Sequence, residues 1–514
     1  LCTFAQETPE TSPFGLYVGG VAVTEQNATD IFGDGCAVYD ATKNTLTLNG
    51  FNKTGISTLD FEEDIADFSV YAEKDTHIRI TGKNNVFYNT VCTVGGNISV
   101  ESAEVAFKGE GFSFLLCIPS TESGKSGDMR IFDSEVKVLG FDKIYRYGFC
   151  AANLIFERSA FEMVLTKAGE HFQSSLFYAE KELHGVDANY LINTPFPYVT
   201  SLFQGGEIVF SGTTVDVSGA EYVFHSTERN GCDGSLSFVE TEISVKDSRC
   251  LADTVSAYVE RSDIFGALYY SGIRAAQAPA KPSLTVTNAS ITLSCLPFEK
   301  LEMQLGKMWQ AMDAKSKQAY RNDYDYYVSY TRDSIYPDRF AQGFGVAVSG
   351  GDVSFEKSTL SCEGFRTALF AQYAVTMTLK KAVTLDLKAT EAAFIMASSE
   401  EDALRLPNRM RTRFSSLREM PADESLTDEC PYLFGAAKKR LTLPSSETVV
   451  QRTDLLDLLE GEAEHIRIRT APFIPLWITL TVTGTFTLAA LGTGILFIIK
   501  DSPARKDAKK KKQK

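Results

Sequence analysis

One pattern recurs along most of this chain and constrains its fold more than any other. An apolar-x-apolar pair is followed by four residues and then by a second such pair. Ile98, Val100, Val105 and Phe107 form one copy, Met129, Ile131, Val136 and Val138 the next, and Leu154, Phe156, Phe161 and Met163 a third. Further copies begin at Ile208, Leu236, Leu284, Val353 and, with one extra residue, Val375. Alternation of period two marks each half as a strand with one buried face. The link carries a small residue at a fixed place (Ala103, Ser134, Ser159, Thr213, Thr241, Ala289, Ser358), which predicts a corner without room for bulk. Starts lie 31, 25, 54, 28, 48, 69 and 22 residues apart. The short intervals fit single coils, and 54 and 48 fit two coils with one degenerate. Repetition of the same corner favours stacked coils over a two-sheet sandwich. The expected fold class is all-β: a right-handed parallel β-helix, a pectate-lyase-like solenoid, over residues 61–402.

Charge and cysteine usage remove several function classes. The formal charge of −15 is unevenly shared, because Lys500 to Lys514 hold eight Lys/Arg and two Asp. The remainder has 43 basic against 64 acidic residues, a body of −21 that repels phosphate backbones and argues against nucleic acid as a partner. The ten cysteines include no C-x-x-C pair and no accompanying His cluster, so no metal or other cofactor is expected. An exported chain could pair them, but several fall at inward apolar positions, Cys362 most clearly, where they read as small buried hydrophobes at least as well as disulfides.

The ends suggest a topology. Pro475 to Ile499 is uncharged, long enough for a transmembrane helix, and the basic tail 500–514 follows as a cytoplasmic stop-transfer signal. Residues 1–6 read as the remnant of a signal peptide. The expected placement is therefore the plasma membrane, single-pass, with the large N-terminal part extracellular and the lipid bilayer as a partner. Residues 403–474, where the strand pattern fades, are read as a cap and membrane-proximal spacer.

Near the start stand Leu16-Tyr17-Val18-Gly19-Gly20-Val21-Ala22-Val23-Thr24, a Gly33-Asp34-Gly35 turn, and Tyr39-Asp40-Ala41-Thr42-Lys43-Asn44-Thr45-Leu46-Thr47-Leu48-Asn49. This stretch resembles the opening module of uncharacterised secreted bacterial β-helix proteins, of the kind found in gut Firmicutes and often labelled carbohydrate-binding-domain-containing. The match covers residues 15–60, an N-terminal capping module by this reading, and the rest by repeat style. The resemblance implies a surface solenoid with no established enzymatic role, and carbohydrate binding only as a label.

An insertion at 296–344 interrupts the repeat. Pro297 opens a predicted helix with Leu301, Leu305, Met308 and Met312 on one face. A tyrosine-rich stretch follows, and Asp323, Tyr324, Asp325, Tyr326, Tyr327 and Tyr330 are the candidate ligand-binding residues. Tyrosine offers broad amphipathic contact, and carboxylates accept hydrogen bonds from sugar hydroxyls. Against this stands a plain covering role for the rings. No catalytic residue is assigned: the five His (His77, His171, His184, His225, His465) sit in no motif, and the outward repeat positions supply no recurring carboxylate set. The expected function is non-catalytic adhesion or ligand binding, with glycans or surface proteins as partners. The alternative is a polysaccharide lyase or glycoside hydrolase, which needs paired carboxylates on neighbouring coils.

Overall fold

The computed structural model describes residues 11–61, 64–108, 114–121, 123–141, 147–165, 172–194, 199–275, 283–312, 314–335, 343–349, 352–372, 376–397, 438–443, 448–450 and 465–470. Strands dominate, and nearly all belong to one hydrogen-bonded sheet of 34 strands. Three parallel ladders run through it. In the first, Ile98, Met129, Leu154, Leu183, Ile208, Leu236, Ala257, Leu284, Val353 and Met377 are register partners in turn. In the second, Val105, Val136, Phe161, Tyr190, Val215, Ile243, Ile264, Ile291, Leu360 and Leu385 are aligned in the same way. The third includes Val91, Leu116, Phe149, Phe177, Phe203 and Phe224. All of these residues are buried.

Two of the register partners explain why the repeat fades in the longer intervals. Gly185 and Gly266 stand at inward positions where neighbouring strands carry Phe156, Phe210, Val245 and Leu293. A Cβ on Gly185 would lie 2.8 Å from Phe210 Cδ1 and 3.1 Å from the Tyr190 hydroxyl, so the aromatic neighbours occupy its space.

The corner between the first and second ladders has its own chemistry. Asp133, Arg158, Asp187, Gly212, Glu240, Arg261, Asn288 and Lys357 all have positive φ there. The next residue is the small one of the repeat, and where it is Ser or Thr its hydroxyl joins adjacent strands. Ser159 Oγ accepts the Ser134 N–H at 3.3 Å and donates within reach of Ile131 O at 3.2 Å and Glu157 O at 2.8 Å. Ser134 does the same toward Ala103 N, Val100 O and Phe132 O, and Ser358 toward Ala289 N, Val286 O and Glu356 O. Smallness is half the requirement. A buried corner also leaves backbone groups that need partners.

Aromatic rings fill the interior. Phe149–Phe177, Phe177–Phe203 and Phe203–Phe224 stack with centroids 5.0, 5.1 and 5.2 Å apart. That spacing is close to the ~4.8 Å between strands, so one aromatic residue per strand builds a continuous pile. Tyr190 lies within it, and its hydroxyl has no hydrogen-bond partner among the described residues.

Antiparallel strands end the parallel array. At the start, Ala37–Asp40 pairs antiparallel with Thr45–Asn49, and Leu16–Val18 with Asp64–Ala72. At the other end His465–Thr470 runs antiparallel to Thr384–Ala397, while Lys438–Leu443 pairs with it in parallel. Strands therefore occupy part of the segment read from sequence as a fading spacer. The insertion forms three helices: α1 (Phe298–Ala311), α2 (Ala314–Ala319) and α3 (Tyr324–Ile335).

Two sequence expectations are corrected. A right-handed β-helix solenoid was expected, but the described residues are mostly strand, contain a closed parallel barrel of 11 strands and do not form a solenoid. The physical reason lies in the long strands. Phe172–Val186 pairs with Val199–Gly205 through one half and with Glu207–Ser211 through the other. A strand that bends through a corner carries hydrogen bonding from one ladder into the next, so the sheets are not separate. Alternation in sequence reports which side chains face inward and is silent on where ladders join. The single-pass plasma-membrane placement is also overturned: among the described residues no helix is long and apolar enough to cross a membrane. Residues 1–6, 475–499 and 500–514, on which that placement was built, lie outside the described residues.

Candidate functional site

The outward face of the second ladder is open. Two rows of register partners cross it: Asn189, Thr214, Glu242, Asp263 and Ser290, and beside them Leu191, Asp216, Ser244, Phe265 and Thr292. A groove of about 410 Å³ lies among them, with Asp216, Glu242, Asp263, Phe265 and Thr292 in its lining. The Phe265 ring is 44% exposed, and on a nearby strand Leu191 is 51% exposed. Glu242 and Asp263 are register partners on adjacent strands, so two carboxylates stand side by side where like charges oppose each other. Lys246 Nζ is 3.9 Å from Asp216 Oδ1 and offsets part of that charge. The groove thus combines hydrogen-bond acceptors, hydroxyls and an apolar ring on a rigid sheet.

The six residues singled out from sequence are placed differently. Five of them belong to α3, and Asp323 immediately precedes it. Asp323 caps it: its Oδ1 accepts the N–H groups of Asp325 at 2.9 Å and Tyr326 at 3.2 Å. Tyr327 is buried, its ring stacked on Trp309 at 5.4 Å and meeting Tyr320 edge-on at 4.8 Å. Tyr324 lies 5.9 Å from Trp309, tying α3 to α1. The outer side of α3 carries Tyr326, with the Arg321 guanidinium 4.4 Å over its ring, and Tyr330, 49% exposed. Asp325 is exposed in the first turn. Covering the sheet accounts for Tyr327, and a face of Tyr326, Tyr330 and Asp325 remains outside.

Beneath these helices the third ladder holds a polar cluster that sequence reasoning did not find. Leu301, Leu305, Met312 and Tyr327 pack with Cys250, Tyr269 and Tyr270. Alongside, the Arg249 guanidinium sits between the rings of Tyr222 and Tyr270, 5.5 and 5.3 Å from their centroids, and donates to the Tyr222 hydroxyl at 3.2 Å. Burial raises the Glu221 carboxyl above its ordinary value, and the positive charge of Arg249 opposes that shift. Arg274 Nε is 3.9 Å from Asp253 Oδ1, an ion pair too long for a hydrogen bond.

Ser201, His225 and Asp253 follow one another on consecutive strands of this ladder. The His225 ring nitrogen Nδ1 is 3.5 Å from Ser201 Oγ, and His225 and Asp253 are register partners. These are the residue types of a hydrolytic triad, yet Ser201 is only 1% exposed and its hydroxyl is closed to a substrate. The three are far apart in sequence; His225 and Asp253 meet as register partners, and Ser201, itself in register with Tyr222, lies on the neighbouring strand. No family model, curated protein or solved structure matches the chain.

Proposed function

We propose that this protein is a non-catalytic binding scaffold whose groove on the second ladder holds an uncharged, hydroxyl-rich chain, a glycan being the chemistry that fits. The observation that carries this reading is the exposed Phe265 ring beside Asp216, Glu242 and Asp263 in an open groove. Carboxylates accept hydrogen bonds from vicinal hydroxyls, and an exposed ring covers the apolar face of a sugar. The acidic body of the chain disfavours polyanionic glycans. The motif resemblance of residues 15–60 to proteins labelled carbohydrate-binding points the same way. A glycan array probed with the protein, followed by titration of the best neutral oligosaccharide, tests the proposal. Phe265→Ala and Asp216→Asn should each weaken binding about tenfold or more, the order of 1.4 kcal/mol, with unchanged thermal unfolding. An array without a hit, or affinity indifferent to both changes, would overturn it.

One observation favours a second reading. Glu242 and Asp263 are paired carboxylates on neighbouring strands, at a spacing of about 4.8 Å between chains, near the ~5 Å separation of retaining glycosidases. Both side chains are exposed and the groove is open, a shape suited to holding a chain more than to excluding water around a reacting bond. New reducing ends released by the wild type, and lost in both Glu242→Gln and Asp263→Asn, would establish the enzyme in place of the scaffold.

A further inference from the structure

On the outer side of the third ladder, three consecutive strands present a cysteine at the same register. Cys92 is the partner of Cys117, and Cys117 is the partner of Cys150. Tyr71 continues the row before Cys92, and Tyr178 after Cys150. Phe68 and Phe114 pack into the same cluster, and Tyr147 stacks on Tyr178 at 4.4 Å. Exposure rises along the row, from 0% at Cys92 to 1% at Cys117 and 8% at Cys150. Among the described cysteines no others are register partners of one another. Cys362 faces Leu293 and Leu387 in the core, Cys250 faces Tyr222 and Ser271, and Cys295 faces Leu268.

We propose that Cys92, Cys117 and Cys150 form a thiol–disulfide site in which Cys117 is shared between two alternative disulfides, one with Cys150 and one with Cys92. In-register parallel neighbours stand about 4.8 Å apart, inside the 4.4–6.8 Å range of Cα separations that a disulfide spans. Their Cβ atoms point the same way and keep roughly that separation, wider than the ~3.8 Å usual across a disulfide. The bond therefore closes with strain, and strained disulfides are the readily exchanged ones. Cys92 and Cys150 are two strand spacings apart, about 9.6 Å, and beyond mutual reach. Attack on a disulfide proceeds along its S–S axis, and a straight row of three cysteines supplies that line.

The chemistry balances with a small-molecule disulfide, such as glutathione disulfide, as oxidant. The Cys150 thiol, the most exposed, loses its proton to solvent and attacks one glutathione sulfur, which releases one glutathione thiolate and leaves a mixed disulfide. Cys117, deprotonated in turn, attacks the Cys150 sulfur and expels the second glutathione. Two electrons and two protons have then left the protein, and one disulfide has become two glutathione thiols. Attack of the Cys92 thiolate on the Cys117 sulfur expels Cys150 as thiolate and moves the bond inward with no net oxidation. The bland alternative is that three small apolar side chains merely fill a seam between aromatic rings.

The test equilibrates the full chain with glutathione disulfide, quenches with acid, alkylates remaining thiols and maps cross-linked peptides by mass spectrometry. The expected result is one bond per chain that always contains Cys117, linked to Cys150 in one species and to Cys92 in the other. Cys150→Ser should leave only the Cys92–Cys117 species and Cys92→Ser only Cys117–Cys150. Full alkylation of all three in the folded wild type after oxidation, with an unchanged circular dichroism spectrum, would overturn the proposal. A bond joining Cys92 directly to Cys150 would do the same. The wild-type map decides the matter even if a variant fails to fold.

Discussion

The second and third ladders share strands, inward pattern and spacing, yet their outer faces have opposite fates. On the second ladder Asp216, Glu242, Asp263 and Phe265 stay exposed along an open groove. On the third, Cys250, Tyr269 and Tyr270 are covered by α1 and α3, and Arg249 is buried between two rings. The difference lies in the composition of alternate positions. Hydroxyls and carboxylates on one face keep water, whereas tyrosines and cysteines on the other recruit a helical cover. Apolar area is removed from water at roughly 25 cal/mol per Å², enough for a few leucines to hold such a cover in place.

The sharpest way to break that comparison is to truncate a leucine on each side. Leu305→Ala, buried between α1 and the third ladder, should lower stability by about 2–5 kcal/mol, whereas Leu191→Ala on the exposed face should stay within about 0.5 kcal/mol. Denaturant titration followed by Trp309 fluorescence measures the first, and equal losses at both sites would remove the distinction between faces. Next in size is the corner. Ser159→Ala deletes a hydroxyl that serves three backbone groups and should cost about 1–2 kcal/mol, while Ser244→Ala in the groove should cost little. Comparable midpoints for the two variants would reduce the corner hydroxyl to a space filler.

A change of opposite sign is expected inside the core. Tyr190→Phe removes a buried hydroxyl that lacks a partner among the described residues and should raise stability by up to about 1 kcal/mol. A loss would reveal a hydrogen bond to that hydroxyl. The smallest effect is a pH dependence at His77 on the first ladder. Burial depresses its imidazole below the ordinary value of 6.5, against the attraction of Glu101, with Arg79 adding to the depression. The unfolded chain then binds the proton more readily than the folded one. Stability from this group is complete above about pH 6.5 and declines as pH falls through 6.5 toward the lower folded value. His77→Gln should flatten the wild-type slope between pH 7 and 5, and identical slopes would remove His77 as its source.

Much of the inward architecture was legible because a buried side chain leaves a mark of period two. Val136, Phe161, Val215 and Ile243 belong to the repeat in sequence and are register partners within one ladder in the structure. Ser134 and Ser159 were legible as small residues but not as hydrogen-bonding ones, because a sequence shows size and not which carbonyl a hydroxyl reaches. The groove was hidden for a related reason. Asp216, Glu242 and Asp263 follow no spacing rule, since the lengths of the connections between strands vary, and only pairing across strands places them together. The tyrosines of α3 stood out by composition, and a helix then turned Tyr327 into the core.

By itself the sequence determined where strands with one apolar face would form among the described residues, because burying alternate side chains is a local requirement written residue by residue. Only the tertiary structure decided that the ladders close into a barrel, which outer face is covered, and which distant polar residues and cysteines become neighbours. Those outcomes rest on register and on strands bending through corners, and hydrogen bonds between segments remote in sequence are set by the whole sheet at once.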